Sequence, residues 1–185
     1  LEISIVGAGI GGLVAALALK KRGHKPTIYE KTESLSELGA GIQLSPNANK
    51  VLQYLGVMEE LQADVYEPEA FQFVHYRTGT VLAQQALKNS SVKIYGSPNY
   101  DVHRADLQKA LLKIINKEEI QIEKNSEIID LYEEANGAFI KTKERVIGSD
   151  AVIGADGIHS VVRKKLWGED LSLIHISEPT RPNTI

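Results

Sequence analysis

The sequence predicts an α/β fold built around a parallel sheet, and three observations carry that prediction. Residues 3–30 read as strand, glycine turn, helix and strand; a second apolar strand at 150–154 runs into another glycine turn; and several segments between them alternate apolar and polar residues around turn signals, which adds antiparallel sheet.

In the first stretch, Ile3 to Val6 is a short apolar run suited to a buried parallel strand. Leu13 to Leu19 is apolar nearly all round, as a helix packed on a sheet must be, and Gly23 closes it as a C′ residue before Thr27-Ile-Tyr-Glu30. Gly7 permits the tight turn, Gly9 lets the backbone approach a pyrophosphate, and Gly12 lets helix and strand pack closely. The free N–H groups of the helix start then face the phosphates. Glu30 stands eighteen residues after Gly12, where a carboxylate accepts a hydrogen bond from a ribose 2′-OH. A glycine pattern alone is weak and also serves as a purely structural turn. Here its strand, helix and acid select a Rossmann-like dinucleotide site, for FAD or NAD rather than NADP.

The composition bounds the rest. A chain of 185 residues, 43% hydrophobic and 24% charged, supports a core in one domain or a little more. A net charge of −3 offers no basic stripe for nucleic acid or an anionic membrane, so small molecules are the expected partners. There is no cysteine, which excludes disulfides, thiolate metal sites and a cysteine nucleophile and fits a reducing cytoplasm. No apolar run approaches the roughly 18 residues of a spanning helix, and the first residues read as a core strand rather than a signal peptide. The expectation is a cytoplasmic protein with no stable membrane association and no metal.

After Glu30, Lys31 to Ser45 is rich in Ser, Glu and Gly and reads as a loop, ending in Gly39-Ala-Gly41-Ile42-Gln-Leu-Ser-Pro46. Its glycines suit a backbone lying against a flat ligand, or a simple connection. Pro46 starts a helix with Ala48, Val51, Leu52 and Leu55 at helical spacing, ended by Gly56. Phe71 to Tyr76, a turn at Arg77-Thr-Gly79, and Val81 to Ala83 read as a hairpin that opens a second sheet; His75 and Tyr76 on it are packing or surface residues. Tyr100 to Arg104 leads into a helix whose face carries Leu107, Ala110, Leu111, Ile114 and Ile115. Arg104 just before that helix opposes the dipole, so either an anion repays the placement or Asp101 or Asp106 pairs with it.

Four short strands follow at Ile120–Glu123, Glu127–Tyr132, Ala138–Lys143 and Arg145–Gly148, with Asn136-Gly137 as a hairpin turn between two of them, and the expected fold class includes an antiparallel β-meander beside the parallel sheet. Asp150 to Gly157 is the second buried strand and turn, and Ser160 caps a helix carrying Arg163. Asp156, His159 and Ser160 lack the strand, G-x-S-x-G and helix context of a hydrolase triad. The tail, Leu171-Ser-Leu-Ile-His-Ile-Ser-Glu-Pro-Thr-Arg181 and then Pro182 to Ile185, has no apolar period and resembles a translated sequencing-library adapter. It is expected to be foreign and is set aside, leaving residues 1–170 as the domain and 69–98 as the start of the second sheet.

Gly7-Ala-Gly9-Ile-Gly-Gly12 with Glu30, His103-Arg104-Ala-Asp-Leu107, and Gly154-Ala-Asp156-Gly157-Ile-His-Ser160-Val-Val-Arg163 together resemble the FAD-dependent aromatic hydroxylases. These are the single-component flavoprotein monooxygenases related to p-hydroxybenzoate hydroxylase. The Gly39 to Ala48 segment looks most like the salicylate and 3-hydroxybenzoate hydroxylase branch. The resemblance covers residues 1–170 and implies a Rossmann-like FAD-binding domain, with the hairpin belonging to an inserted substrate-domain sheet. It implies that Gly7, Ala8, Gly9, Ile10, Gly11, Gly12 and Leu13 hold the FAD pyrophosphate, and that Glu30, with Lys31 beside it, holds the adenosine ribose. Arg104 matches the arginine on the diphosphate and ribityl region, Gly41 and Ile42 pass beside the flavin, and the Ile128 backbone lies near adenine. Asp156, Gly157 and Arg163 belong to a motif for both FAD and NAD(P)H.

The implied reaction hydroxylates a small phenol or benzoate with O2 and NADH or NADPH. The family's later Gly-Asp motif and most of its substrate sheet are absent from these residues, so the chain as it stands is expected to be incompetent, with no catalytic residue named. Another flavoprotein of the superfamily (reductase, halogenase or epoxidase) and a non-catalytic dinucleotide-binding module are the alternatives.

Overall fold

Apolar strands and Gly-punctuated helices alternate as the pattern requires. The computed structural model describes residues 1–35 and 40–168. The chain runs through β1 (Glu2–Val6), α1 (Ile10–Lys21) and β2 (Lys25–Tyr29), then β3 (Gly41–Leu44), α2 (Pro46–Tyr54), α3 (Met58–Leu61) and β4 (Val65–Tyr66). Next come the hairpin β5 (Ala70–Val74) and β6 (Val81–Ala86), α4 (Ser90–Tyr95), β7 (Tyr100–His103) and α5 (Arg104–Lys117). The remainder is β8 (Gln121–Glu123), β9 (Asp130–Glu134), β10 (Gly137–Lys141), β11 (Val146–Ser149), β12 (Ala151–Gly154) and α6 (Val161–Trp167).

The central sheet is parallel in the order β12-β1-β2-β8. Both of its faces are covered, and the alternation along β1 shows how. Ile3 and Ile5 join the larger apolar cluster with Leu13 and Leu17 of α1 and Leu107, Leu111 and Ile115 of α5. Val6 points the other way, into a smaller cluster with Tyr29, Ile128, Leu131, Ile140 and Val162. One face therefore packs on helices and the other on the antiparallel meander β11-β10-β9 with α6. Helix α1 ends as its glycine requires: Gly23 takes φ +81°, its N–H donates to the Lys20 carbonyl at 2.9 Å, and the His24 N–H donates to Leu19 at 3.1 Å.

The second sheet, β3-β7-β4, is antiparallel and corrects the loop expected over Lys31 to Ser45. Ile42 and Leu44 alternate with Gly41 and Gln43, a strand pattern that the flanking glycines obscured, and Leu44 is buried. Gly39 lies outside the described residues, as do Asp170 and the whole of 171–185. Further corrections are local. Val51 is 46% exposed while Asn49 is buried in its place, donating from Nδ2 to the Leu44 and Pro98 carbonyls at 3.0 and 2.9 Å. Arg104 is the first residue of α5, not the residue before it. Strand β9 begins at Asp130 rather than Glu127, and the hairpin turn is Ala135-Asn136, with Gly137 already paired to Glu134.

The β5-β6 hairpin forms where its alternation and Gly79 place it, yet Phe71, Phe73, Val74, Val81 and Leu82 on it are all exposed. His75 is engaged locally, its Nδ1 meeting the Thr78 hydroxyl at 3.1 Å. Among the described residues, no helix is long and apolar enough to cross a membrane.

Candidate functional site

Parallel pairing aligns the carboxyl ends of three strands, and the site stands there. Val6 lies opposite both Gly154 and Tyr29, so the glycine turns after β1 and β12 and the acid after β2 meet at one edge. Backbone bonds lock the junction: Gly7 N–H to the Tyr29 carbonyl and Ala155 N–H to the Val6 carbonyl, both at 2.8 Å.

The four glycines of the first turn divide by role. Gly7 takes φ +102°, and a Cβ there would lie 2.4 Å from the Ala155 carbonyl oxygen; a Cβ on Gly12 would lie 2.0 Å from the Gly7 carbonyl oxygen. These two are required by the fold itself. Gly9 and Gly11 meet nothing within 4 Å, so their lack of a side chain opens space instead. Gly9 also begins α1 with no side-chain cap and no acid in the first turn, leaving the positive end of the dipole available to an anion.

A cleft of about 360 Å³ opens at this edge, lined by Val6, Gly7, Gly9, Tyr29, Glu30, Lys31, Ser126, Glu127, Ile128, Ala155, Asp156, Gly157, His159 and Val161. The Glu30 carboxylate accepts from the Ala8 N–H at 2.8 Å, the Thr32 N–H at 2.9 Å and the Thr32 hydroxyl at 3.0 Å. Burial alone would raise its pKa; the Ala8 and Thr32 hydrogen bonds, with the Lys31 charge, outweigh it and hold the group below 4.5. Glu30 is therefore an anion fixed in direction, aimed by the same turn that opens toward phosphate.

Asp156 is more committed to structure than its motif suggested. One oxygen accepts from the Ser160 hydroxyl at 2.6 Å and the other from the Val161 N–H at 2.7 Å, while Ser160 Oγ accepts from the Arg163 N–H at 2.9 Å. Together they cap α6, and the serine hydroxyl is engaged as a cap rather than as a nucleophile. Arg163 Nη2 donates to the Ile158 carbonyl at 3.1 Å, bracing the glycine turn from the helix.

The expected site residues thus fall into groups. Gly7, Gly9, Glu30, Lys31, Ile128, Asp156 and Gly157 share the cleft. Ala8 supplies its N–H to Glu30, and Leu13 is fully buried in the core, where Ile10 also packs. Gly41, Ile42 and Arg104 sit outside the cleft lining at one end of β3-β7, with Gly41 opposite His103 and the Arg104 N–H donating to Ala40 at 2.9 Å. Tyr29, Ser126, Glu127 and His159 line the cleft without having been singled out for it. The signal for Ser126 was its predecessor: Asn125 takes φ +56°, and the turn delivers the Ser126 N–H to the Glu30 carbonyl at 2.8 Å.

A family model described as FAD binding domain matches residues 1–171. The chain belongs to that family. As an FAD-binding domain it is 34% identical over 166 residues to 3-amino-4-hydroxybenzoate 2-monooxygenase of Streptomyces cremeus, covering 90% of this chain and 42% of that enzyme. It is 35% identical over 177 residues to 6-hydroxynicotinate 3-monooxygenase of Pseudomonas fluorescens, covering 92% and 44%. Among solved structures it resembles Klebsiella pneumoniae HpxO complexed with FAD and uric acid, with a TM-score of 0.77 and 29% identity over 89% of this chain and 41% of that one. The resemblance to aromatic hydroxylases and the Rossmann-like fold are thereby borne out, and FAD is the cofactor of the domain. The chain spans about two fifths of the length of these relatives.

Proposed function

We infer that this chain is the FAD-holding part of an NAD(P)H-dependent monooxygenase that hydroxylates a small phenol- or benzoate-like ring with O2. The observation that carries the reading is the convergence of the Gly7–Gly12 turn, the open backbone at Gly9 and Gly11, and the fixed Glu30 anion at one sheet edge. These residues fit FAD. The turn and the first N–H groups of α1 receive the pyrophosphate at Gly7 to Leu13. Glu30 has about four acceptor sites; three are taken internally, and the remaining one meets the adenosine ribose with Lys31 alongside. The Ile128 backbone flanks adenine, and Arg104, Gly41 and Ile42 line the path of the ribityl chain and ring. Asp156, Gly157 and Arg163 shape the second turn, beside FAD and the transient nicotinamide.

Bound flavin supplies the electron storage and O2 chemistry; the protein supplies position and electrostatics. The exposed apolar hairpin β5-β6 supports reading residues 69–98 as the start of the substrate-domain sheet. The family match ends at residue 171, which supports reading 171–185 as adapter-derived. Dependence on reduced nicotinamide and the cysteine-free sequence support a cytoplasmic setting.

Flavin fluorescence titration of the chain tests the first half of the reading: FAD is expected to bind weakly, and no binding at all would remove it. For the intact protein, NAD(P)H oxidation stimulated by phenols, with hydroxylated product, is expected. A panel that stimulates nothing would sink the hydroxylase assignment.

A further inference from the structure

The two oxygens of Glu30 are held by different parts of the chain. Oε2 accepts from the Ala8 N–H at 2.8 Å, in the glycine turn. Oε1 accepts twice from Thr32, from its N–H at 2.9 Å and from its hydroxyl at 3.0 Å. An ionised carboxylate offers about four acceptor positions, shared between its oxygens. Among the described residues Thr32 therefore fills Oε1, and the position still open lies on Oε2, on the side of the Gly7 to Gly12 turn. The terminal torsion of a glutamate is broad and roughly two-fold, so the side chain by itself fixes neither oxygen in place. Thr32 is exposed and stands outside the cleft wall, and its carbonyl accepts from the Asn125 N–H at 3.4 Å, tying it to the turn that delivers Ser126.

The hydroxyl faces a choice that the backbone N–H does not. It has one proton and two acceptors at 3.0 Å, Glu30 Oε1 and the Ser34 carbonyl. A carboxylate anion makes the stronger bond, so the proton goes to Glu30 while that group is charged and turns to Ser34 when it is neutralised. The bond is thus made to the ionised form of Glu30, the stronger acceptor for a ribose hydroxyl. We propose that Thr32 is a positioning residue for the nucleotide: its hydroxyl closes Oε1 and turns the open position of Oε2 toward the adenosine ribose. The ribose step rests on the function proposed above; the hold of Thr32 on Glu30 does not.

The test compares Thr32→Val, which deletes the hydroxyl and keeps the branched shape, with Thr32→Ser, which keeps the hydroxyl. In the ligand-free 185-residue chain, carboxyl NMR titration is expected to show the Glu30 midpoint higher in Thr32→Val than in the parent, because a donor to the ionised form is gone, and restored in Thr32→Ser. The other titratable groups of the cleft wall, Tyr29, Lys31, Glu127, Asp156 and His159, are the same in all of these chains. Fluorescence titration is expected to show FAD weakened about threefold in Thr32→Val and unchanged in Thr32→Ser. ADP should follow FAD, whereas 2′-deoxy-ADP, which lacks the hydroxyl that Glu30 receives, should bind parent and variant alike. A loss of packing alone would weaken both nucleotides equally and leave the midpoint in place. If Thr32→Val loses its dispersed spectrum, Thr32→Ala decides by the same readings. A folded variant that matches the parent in Glu30 midpoint or in ADP affinity, or that weakens 2′-deoxy-ADP as much as ADP, overturns the proposal. A parent that binds ADP but not FAD defeats the flavin reading and leaves Thr32 to be judged on ADP; FAD binding that is the same in parent and Thr32→Val defeats the positioning role alone.

Discussion

The two ends of this molecule solve opposite problems. At the edge of the parallel sheet, the Gly7 turn, Glu30 and Asp156 find their partners within the chain, and the cleft they form is held by backbone bonds from three strands. Around β3-β7-β4 and the hairpin, apolar side chains stay exposed, and among the described residues Asp101 Oδ1 has no hydrogen-bond partner. The difference is one of closure: the cleft at the parallel edge is lined by the turns after β1, β2 and β12 and by residues 126–128, all tied by backbone pairing, whereas the second region leaves apolar side chains exposed.

Glycine substitutions break that comparison most sharply. Gly12→Ala drives a Cβ into the Gly7 backbone and is expected to destabilise the domain by about 3 kcal/mol, read as a large fall in Tm. Gly9→Ala, with open space before it, is expected to keep Tm and weaken FAD; equal melting losses for the two would refute the division between fold glycines and ligand glycines.

Glu30→Ala is expected to cost about 1 to 3 kcal/mol of FAD affinity, measured by fluorescence titration; unchanged affinity removes the ribose assignment. The same carboxyl gives a pH signature. Its pKa is lower in the folded chain than the 4.5 of an unperturbed glutamate, so the unfolded chain takes up the proton first. The Glu30 contribution is complete above pH 4.5 and is lost as pH falls from there through the folded value. Chemical denaturation between pH 6 and 3 should show acid loss that is smaller in Glu30→Gln.

A milder effect is expected at the second turn. Ser160→Ala removes the hydroxyl that receives the Arg163 N–H and should cost about 1 kcal/mol of stability, visible in urea unfolding. The smallest effect sharpens the contrast: Phe73 is 58% exposed on the hairpin, and Phe73→Ser should change stability by no more than about 0.5 kcal/mol. A loss of several kcal/mol would show that the hairpin supports the core.

Much of the cleft was legible because the requirements of its first turn are local. Gly7, Gly9, Gly12 and Glu30 sit in one 30-residue unit whose spacing alone sets their geometry. The α5 face was legible for the same reason, since Leu107, Ala110, Leu111, Ile114 and Ile115 are all buried as their periodicity demands. Strand β3 was not, because glycine and serine dominate its neighbourhood and its partner β7 lies about sixty residues away, a pairing no local pattern encodes. Val51 failed similarly: it satisfies the helical period, but the contact that buries its turn comes from Asn49 clamping two carbonyls. Ser126 and Glu127 reach the cleft through a turn at Asn125, so only the assembled sheet reveals them.

The strand order β12-β1-β2-β8 also sets a timetable for biosynthesis. β1 emerges well before β12, yet β12 is one of its two neighbours, their pairing joining Val6 to Gly154. At about 5 to 20 residues per second, that partner follows roughly 7 to 30 seconds later. Throughout that interval an apolar strand has one edge without a mate, and such edges recruit other chains. Nascent copies on crowded polysomes are therefore most exposed to mispairing along this edge, and holdase chaperones acting before residue 154 clears the ribosome should raise the soluble yield more than any added later.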